Sequence, residues 1–96
     1  MKSSNYLLEC CVDSAYSARM AKKGGADRLE LCSNLVIGGT TPTIALYEQI
    51  RNQTDIRIHV LIRPRFGDFL YSEDETALIC KEIDAFRAAG ADGVVI

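Results

Sequence analysis

The chain has 96 residues, 48% of them hydrophobic and 25% charged, with a net charge of −2 from 11 basic and 13 acidic side chains. That mix belongs to a water-exposed globular fold, and it lacks the basic field that would draw nucleic acid or an anionic membrane. No apolar run approaches the roughly 20 residues of a membrane span, and Met1 to Tyr6 lack the apolar core of a signal peptide, so a cytoplasmic location is the expectation. Four cysteines, Cys10, Cys11, Cys32 and Cys80, show neither C-x-x-C nor zinc-finger spacing. Without a secretion signal they are expected as free thiols.

Taken in order, residues 6–12 read as a first strand. Asp13-Ser14 offers an N-cap for a helix to about Lys23, rich in the small residues Ala15, Ala18 and Ala21 that let a helix approach a sheet closely. Gly24-Gly25 stops it. Residues 27–32 form a second strand, followed by a loop from Ser33 to Thr40 that holds Gly38-Gly39. Thr41 caps a second helix, with Pro42 at its first position, running to about Asn52 and burying Ile44, Tyr47 and Ile50. Residues 57–65 form a third strand that enters a charged loop. Ser72 and Glu75 have capping-box spacing and open a third helix to about Ala89, with Leu78, Ile79, Ile83 and Phe86 as its apolar stripe. Gly90 stops it, and a fourth strand begins at Asp92. Gly24-Gly25-Ala26-Asp27 and Gly90-Ala91-Asp92 stand ahead of two of the strands and suggest an internal repeat, although any helix-stop-strand junction can look this way.

Alternation of strand and helix with short connections predicts a parallel sheet with right-handed crossovers. A flavodoxin-like open sheet and a (β/α)8 barrel both fit the order. An open sheet packs helices on both faces, so its central strands are nearly all apolar. Here three consecutive strands keep one polar face, which suits a barrel interior near its mouth. A barrel typically needs about 250 residues, so residues 1–96 are expected to be one partial domain, the N-terminal half of a TIM-like barrel. The open edges would then pair with more of the chain or with a second copy.

Period-two alternation puts Glu9, Cys11 and Asp13 on the inner face of the first strand, Glu30 and Cys32 on the second, and His59, Leu61 and Arg63 on the third. Leu8, Cys10, Val12, Leu29, Leu31, Ile58, Val60 and Ile62 face the helices. Cys11 and Cys32 share a face on neighbouring strands, which lie roughly 4.8 Å apart. Two thiolates there suit a soft ion such as Cu(I); core filling is the alternative. Arg63 and Arg65, with His59 and Asp68, offer a clamp for a small anion. The alternatives are that Asp68 pairs with Arg65 to hold the loop, and that Glu9 and Glu30 neutralise Arg63 in a charge-compensated interior.

These residues resemble the CutC copper-homeostasis family. The resemblance rests on Leu8-Glu9-Cys10-Cys11-Val12-Asp13-Ser14, on Gly24 to Ser33, on Gly38-Gly39-Thr40-Thr41-Pro42, on His59 to Arg65, on Gly67-Asp68-Phe69-Leu70-Tyr71-Ser72 and on Gly90 to Val95. It covers nearly the whole chain in order. Cys10, Thr40 and Leu61 depart from it mildly. The resemblance implies a TIM-like barrel more than twice this length, a cytoplasmic location and a role in copper tolerance or trafficking, with Cys11 and Cys32 as copper ligands. Two functions therefore stand side by side. One is metal binding for copper homeostasis. The other is a barrel enzyme acting on a small anionic substrate, with Glu9 or Glu30 as acid/base, Arg63 in the catalytic site and Arg63 with Arg65 as anion clamp.

Overall fold

The computed structural model describes residues 6–96. Residues 1–5, read above for a leader, lie outside the described residues. Four strands, Glu9–Val12 (β1), Arg28–Leu31 (β2), Arg57–Leu61 (β3) and Gly93–Val95 (β4), alternate with three α-helices, Ala15–Lys23 (α1), Ile44–Arg51 (α2) and Glu73–Ala89 (α3). All strand pairs are parallel, and the strands lie side by side in chain order. That order separates the two architectures. A flavodoxin-like sheet places β1 between β2 and β3, whereas here β2 pairs with both β1 and β3. The arrangement is that of the first half of a TIM-like barrel.

The helices cover one face of the sheet. Val12, Leu29, Leu31, Ile58, Val60 and Ile62 project towards them and join Ala18, Tyr47, Ile50, Ile79 and Phe86 in one buried core. Cys10 is half-buried on this side, packed against the same core. Tyr47 meets Phe86 edge-to-face with ring centroids 6.0 Å apart, a favoured aromatic geometry.

The helix ends follow from local chemistry. Ser14 caps α1, and Ser17 completes the capping box. Ser72 and Glu75 form the expected box at α3, which ends at Gly90 with φ of 98°, a left-handed conformation that glycine adopts without a steric penalty. Two expectations are corrected. Thr43, not Thr41, caps α2, and Pro42 precedes the cap. Thr41 is committed elsewhere: its hydroxyl accepts the Arg63 N–H at 2.8 Å and donates to Glu82, while its own N–H donates to the Arg63 carbonyl at 3.0 Å. Leu78 is exposed, because Ile79, Ile83 and Phe86 supply the face that meets the core. The loop after β2 also contains an unforeseen 3-10 turn, Leu35–Ile37.

The suggested repeat has a physical basis. Asp27 accepts the Leu8 N–H on its carboxylate at 2.8 Å and donates its own N–H to the Leu8 carbonyl. Asp92 treats Ile58 the same way, at 2.9 and 3.0 Å. Each Gly-Ala-Asp junction thus ties the start of its strand to the neighbouring strand, and both fix the register of the inner face.

Candidate functional site

The face turned away from the helices carries the polar side chains in rows set by the register. Glu9 stands beside Arg28, Cys11 beside Glu30, Glu30 beside His59, and His59 beside Gly93. Towards the C-terminal ends of the strands, where barrel enzymes hold their sites, come Cys32, Leu61 and Arg63.

Arg28 Nε donates to Glu9 Oε2 at 2.6 Å. The charge compensation expected between the acids and Arg63 is therefore corrected: Glu9 is neutralised by Arg28, which lies directly opposite it in register, while Arg63 lies beyond the end of β3. Arg28 was legible as an inner residue, being two positions before Glu30 on an alternating strand. The glycine beside His59 was not. A Cβ on Gly93 would lie 2.9 Å from His59 Nε2, so the absence of a side chain there makes room for the imidazole.

Cys11 is exposed on this face, and Cys32 is buried at 1% exposure. The two thiols stand on the same face of neighbouring strands, and Cys32 Sγ donates to Glu30 Oε2 at 3.6 Å. Burial and the charge of Glu30 push the Cys32 thiol up to about 12; burial, then Glu30 and Glu9, raise Cys11 as well. Both are therefore thiols at neutral pH in the metal-free protein. Among the described residues no three His, Cys, Asp or Glu side chains are gathered to hold a metal ion.

The two arginines at the mouth are engaged within the protein. Arg63 donates to the carbonyls of Ile37 (3.4 Å) and Gly39 (3.0 Å) in the loop after β2, and to that of Gly67 (2.8 Å) in the loop after β3. Its guanidinium lies 5.1 Å from the centre of the Phe69 ring. Arg65 holds Glu75 through two hydrogen bonds of 2.5 and 3.2 Å, and also reaches Asp68 and the carbonyls of Phe66, Asp68 and Leu70. That contact and the Ser72 N–H hold the Glu75 carboxyl below its usual range. Arg65, Asp68 and Glu75 thereby fasten the loop after β3 to the start of α3. His59, on the inner face, is not among their partners.

The fold and this wall of thiols, acids and imidazole define the inner surface of a TIM-like barrel. The chain belongs to the CutC family, which it matches over residues 6–96. It is 46% identical over 93 residues to the human copper homeostasis protein cutC homolog, covering 97% of this chain and 34% of that protein. It is 49% identical over 94 residues to a CutC family protein of Bacteroides fragilis, covering 95% of this chain and 37% of the relative. A CutC crystal structure from Streptococcus agalactiae matches with a TM-score of 0.82 at 29% identity, covering 95% of this chain and 45% of that one. The chain thus spans little more than a third of the length of these curated relatives.

Proposed function

We propose that this protein serves copper homeostasis in the cytoplasm by taking up Cu(I) between Cys11 and Cys32. Copper is here the cargo. The names of the relatives support the role. The observation that carries the reading is the placement of two thiols on the polar face of neighbouring strands, Cys11 in β1 and Cys32 just past the end of β2. Thiolate sulfur is the donor that soft Cu(I) prefers over oxygen and nitrogen, and two such donors suffice for a monovalent d10 ion. Because both thiols are protonated in the metal-free state, uptake is an exchange in which each sulfur loses its proton as it gains the metal. Glu30 makes the wall attractive to an arriving cation, whereas Glu9 is already paired with Arg28. In this reading the 96 residues are the N-terminal half of a barrel, and the strands found in the longer relatives close the far wall.

Titration of Cu(I) against a chromophoric competing chelator tests the proposal. Cys11→Ser and Cys32→Ser should each weaken binding by more than the roughly tenfold that loss of an outer-shell contact costs. Cys10→Ser, which alters the helix-facing side, should leave affinity unchanged. Unchanged affinity in both Cys11→Ser and Cys32→Ser would show that these thiols are not the ligands.

A further inference from the structure

The two thiols are placed unequally, and the difference is built by one loop. Residues 33–40 leave the end of β2, turn through the 3-10 segment and come back over Cys32. The return is fastened by a Ser33–Thr40 bridge, with N–H to carbonyl distances of 2.9 and 2.7 Å, and by Asn34 Nδ2 donating to Thr40 Oγ1 at 2.9 Å. Asn34 itself sits in the left-handed region at φ of 54°, and its carbonyl accepts the N–H groups of Ile37 and Gly39. Gly39 forms the underside of this cover. A Cβ there would lie 2.9 Å from Leu61 Cδ2 and 3.7 Å from Cys32 Cβ, so bare backbone rests on both side chains.

What holds the cover from outside is Arg63. Its Nη1 takes the carbonyls of Ile37 and Gly39, and Nη2 takes Gly67. The room for this fork comes from Gly38, where a Cβ would lie 3.1 Å from Nη1. Arg63 Nε is buried with no partner among the described residues, a cost normally avoided. The fork therefore spends its remaining donors on main-chain carbonyls of two different loops. A lysine has the charge but lacks the planar fork needed to hold several carbonyls at once.

We propose that Arg63 is a positioning residue that latches residues 33–40 over Cys32, so that the exposed Cys11 is where a metal ion arrives and Cys32 engages second. The order of arrival rests on the Cu(I) reading above; the latch does not. Its function would be to keep the inner thiol from solvent reagents and from other metals while one sulfur remains available for capture.

The test is site-resolved alkylation of the metal-free protein with iodoacetamide, followed by peptide mass spectrometry. In the wild type Cys11 should react and Cys32 should stay protected. Arg63→Met and Arg63→Lys should each raise the Cys32 rate roughly tenfold or more, as expected when a local closed state loses its clasp. Cys11 should change by less than about twofold, and half-buried Cys10, which reports general loosening of the core, should not change. Gly39→Ala gives a second route to the same result, because a Cβ there displaces the carbonyl that Arg63 Nη1 holds, and it decides the matter if the Arg63 variants do not fold. Protection of Cys32 unchanged in folded Arg63 variants, or a rise shared equally by Cys10, would overturn the latch. Cu(I) transfer from its chelator complex then tests the order. Cys11→Ser should take up Cu(I) slowly, and adding Arg63→Met should restore the rate; failure of that rescue refutes ordered arrival. Loss of Cu(I) affinity in Cys11→Ser with no effect of Arg63→Met on Cys32 would leave the copper reading standing and remove the latch. The converse pattern would do the reverse.

Discussion

Replacing Asp92 by alanine removes two contacts of different value, and the structure says which matters. The carboxylate accepts the Ile58 N–H at 2.9 Å and pairs with Arg51 Nη2 at 2.9 Å. Ile58 is fully buried at 0% exposure, so water cannot replace the lost acceptor. An unsatisfied buried N–H costs about 1–3 kcal/mol. The ion pair is partly exposed, with side-chain accessibilities of 28% and 40%, and such pairs contribute about 0–1 kcal/mol. Arg51 is not stranded, since Nη1 still holds the Ile56 carbonyl at 3.0 Å. The expected loss for Asp92→Ala is therefore about 2–3 kcal/mol, mostly from the N–H. Asp92→Asn keeps an acceptor oxygen and should lose only about 0.5–1 kcal/mol. Asp27→Ala breaks the same kind of bond, to Leu8, but Leu8 is 46% exposed; water can take over, and that backbone bond should account for less than about 1 kcal/mol. Urea unfolding by circular dichroism measures all three, with stability read from midpoints at constant m. Equal losses for Asp92→Ala and Asp92→Asn would refute the argument from burial.

Gly93→Ala should displace the His59 ring, since the new Cβ would sit 2.9 Å from Nε2; a cost of about 1–3 kcal/mol is expected, with a changed imidazole chemical shift as the direct readout. Apparent Cu(I) affinity should rise with pH across the neutral range, by up to about tenfold per pH unit for each thiol deprotonated, because both thiols are held above their usual range; a pH-independent affinity would contradict binding by both sulfurs. The raised Cys32 value also means that the folded state keeps a proton which the unfolded chain gives up first, so stability should fall as pH rises from about 9 towards 12, and Cys32→Ser should flatten that decline. Glu75 is shifted the opposite way by Arg65. Its contribution is present above the ordinary carboxylate range and is lost as pH falls through its lower folded value, so Glu75→Gln should flatten the acid limb of the stability profile.

Much of this architecture is legible in one dimension because strands alternate their faces and helices need stops. Period two alone separates Cys11, Glu30 and His59 from Leu29, Leu31, Ile58 and Val60, and the observed register keeps that separation. The capping box at Ser72 and the stop at Gly90 are equally local, each depending on residues within one turn. Partner choice is different. Nothing near Glu9 in the chain marks Arg28 as its counter-ion; that follows from which residues stand opposite once β1 and β2 align. Thr41 looks like a cap until β3 arrives and claims its hydroxyl, and the cap then moves to Thr43. Gly38 and Gly39 are an ordinary loop pair in sequence, yet folding lays one against Arg63 and the other over Cys32 and Leu61. The polar wall and the helices behind it could be read from residue order, because they depend on short-range periodicity. Which charges pair and how the latch closes emerged on folding, because those contacts join residues some twenty positions apart, as in Arg28 with Glu9 and Arg63 with Gly39.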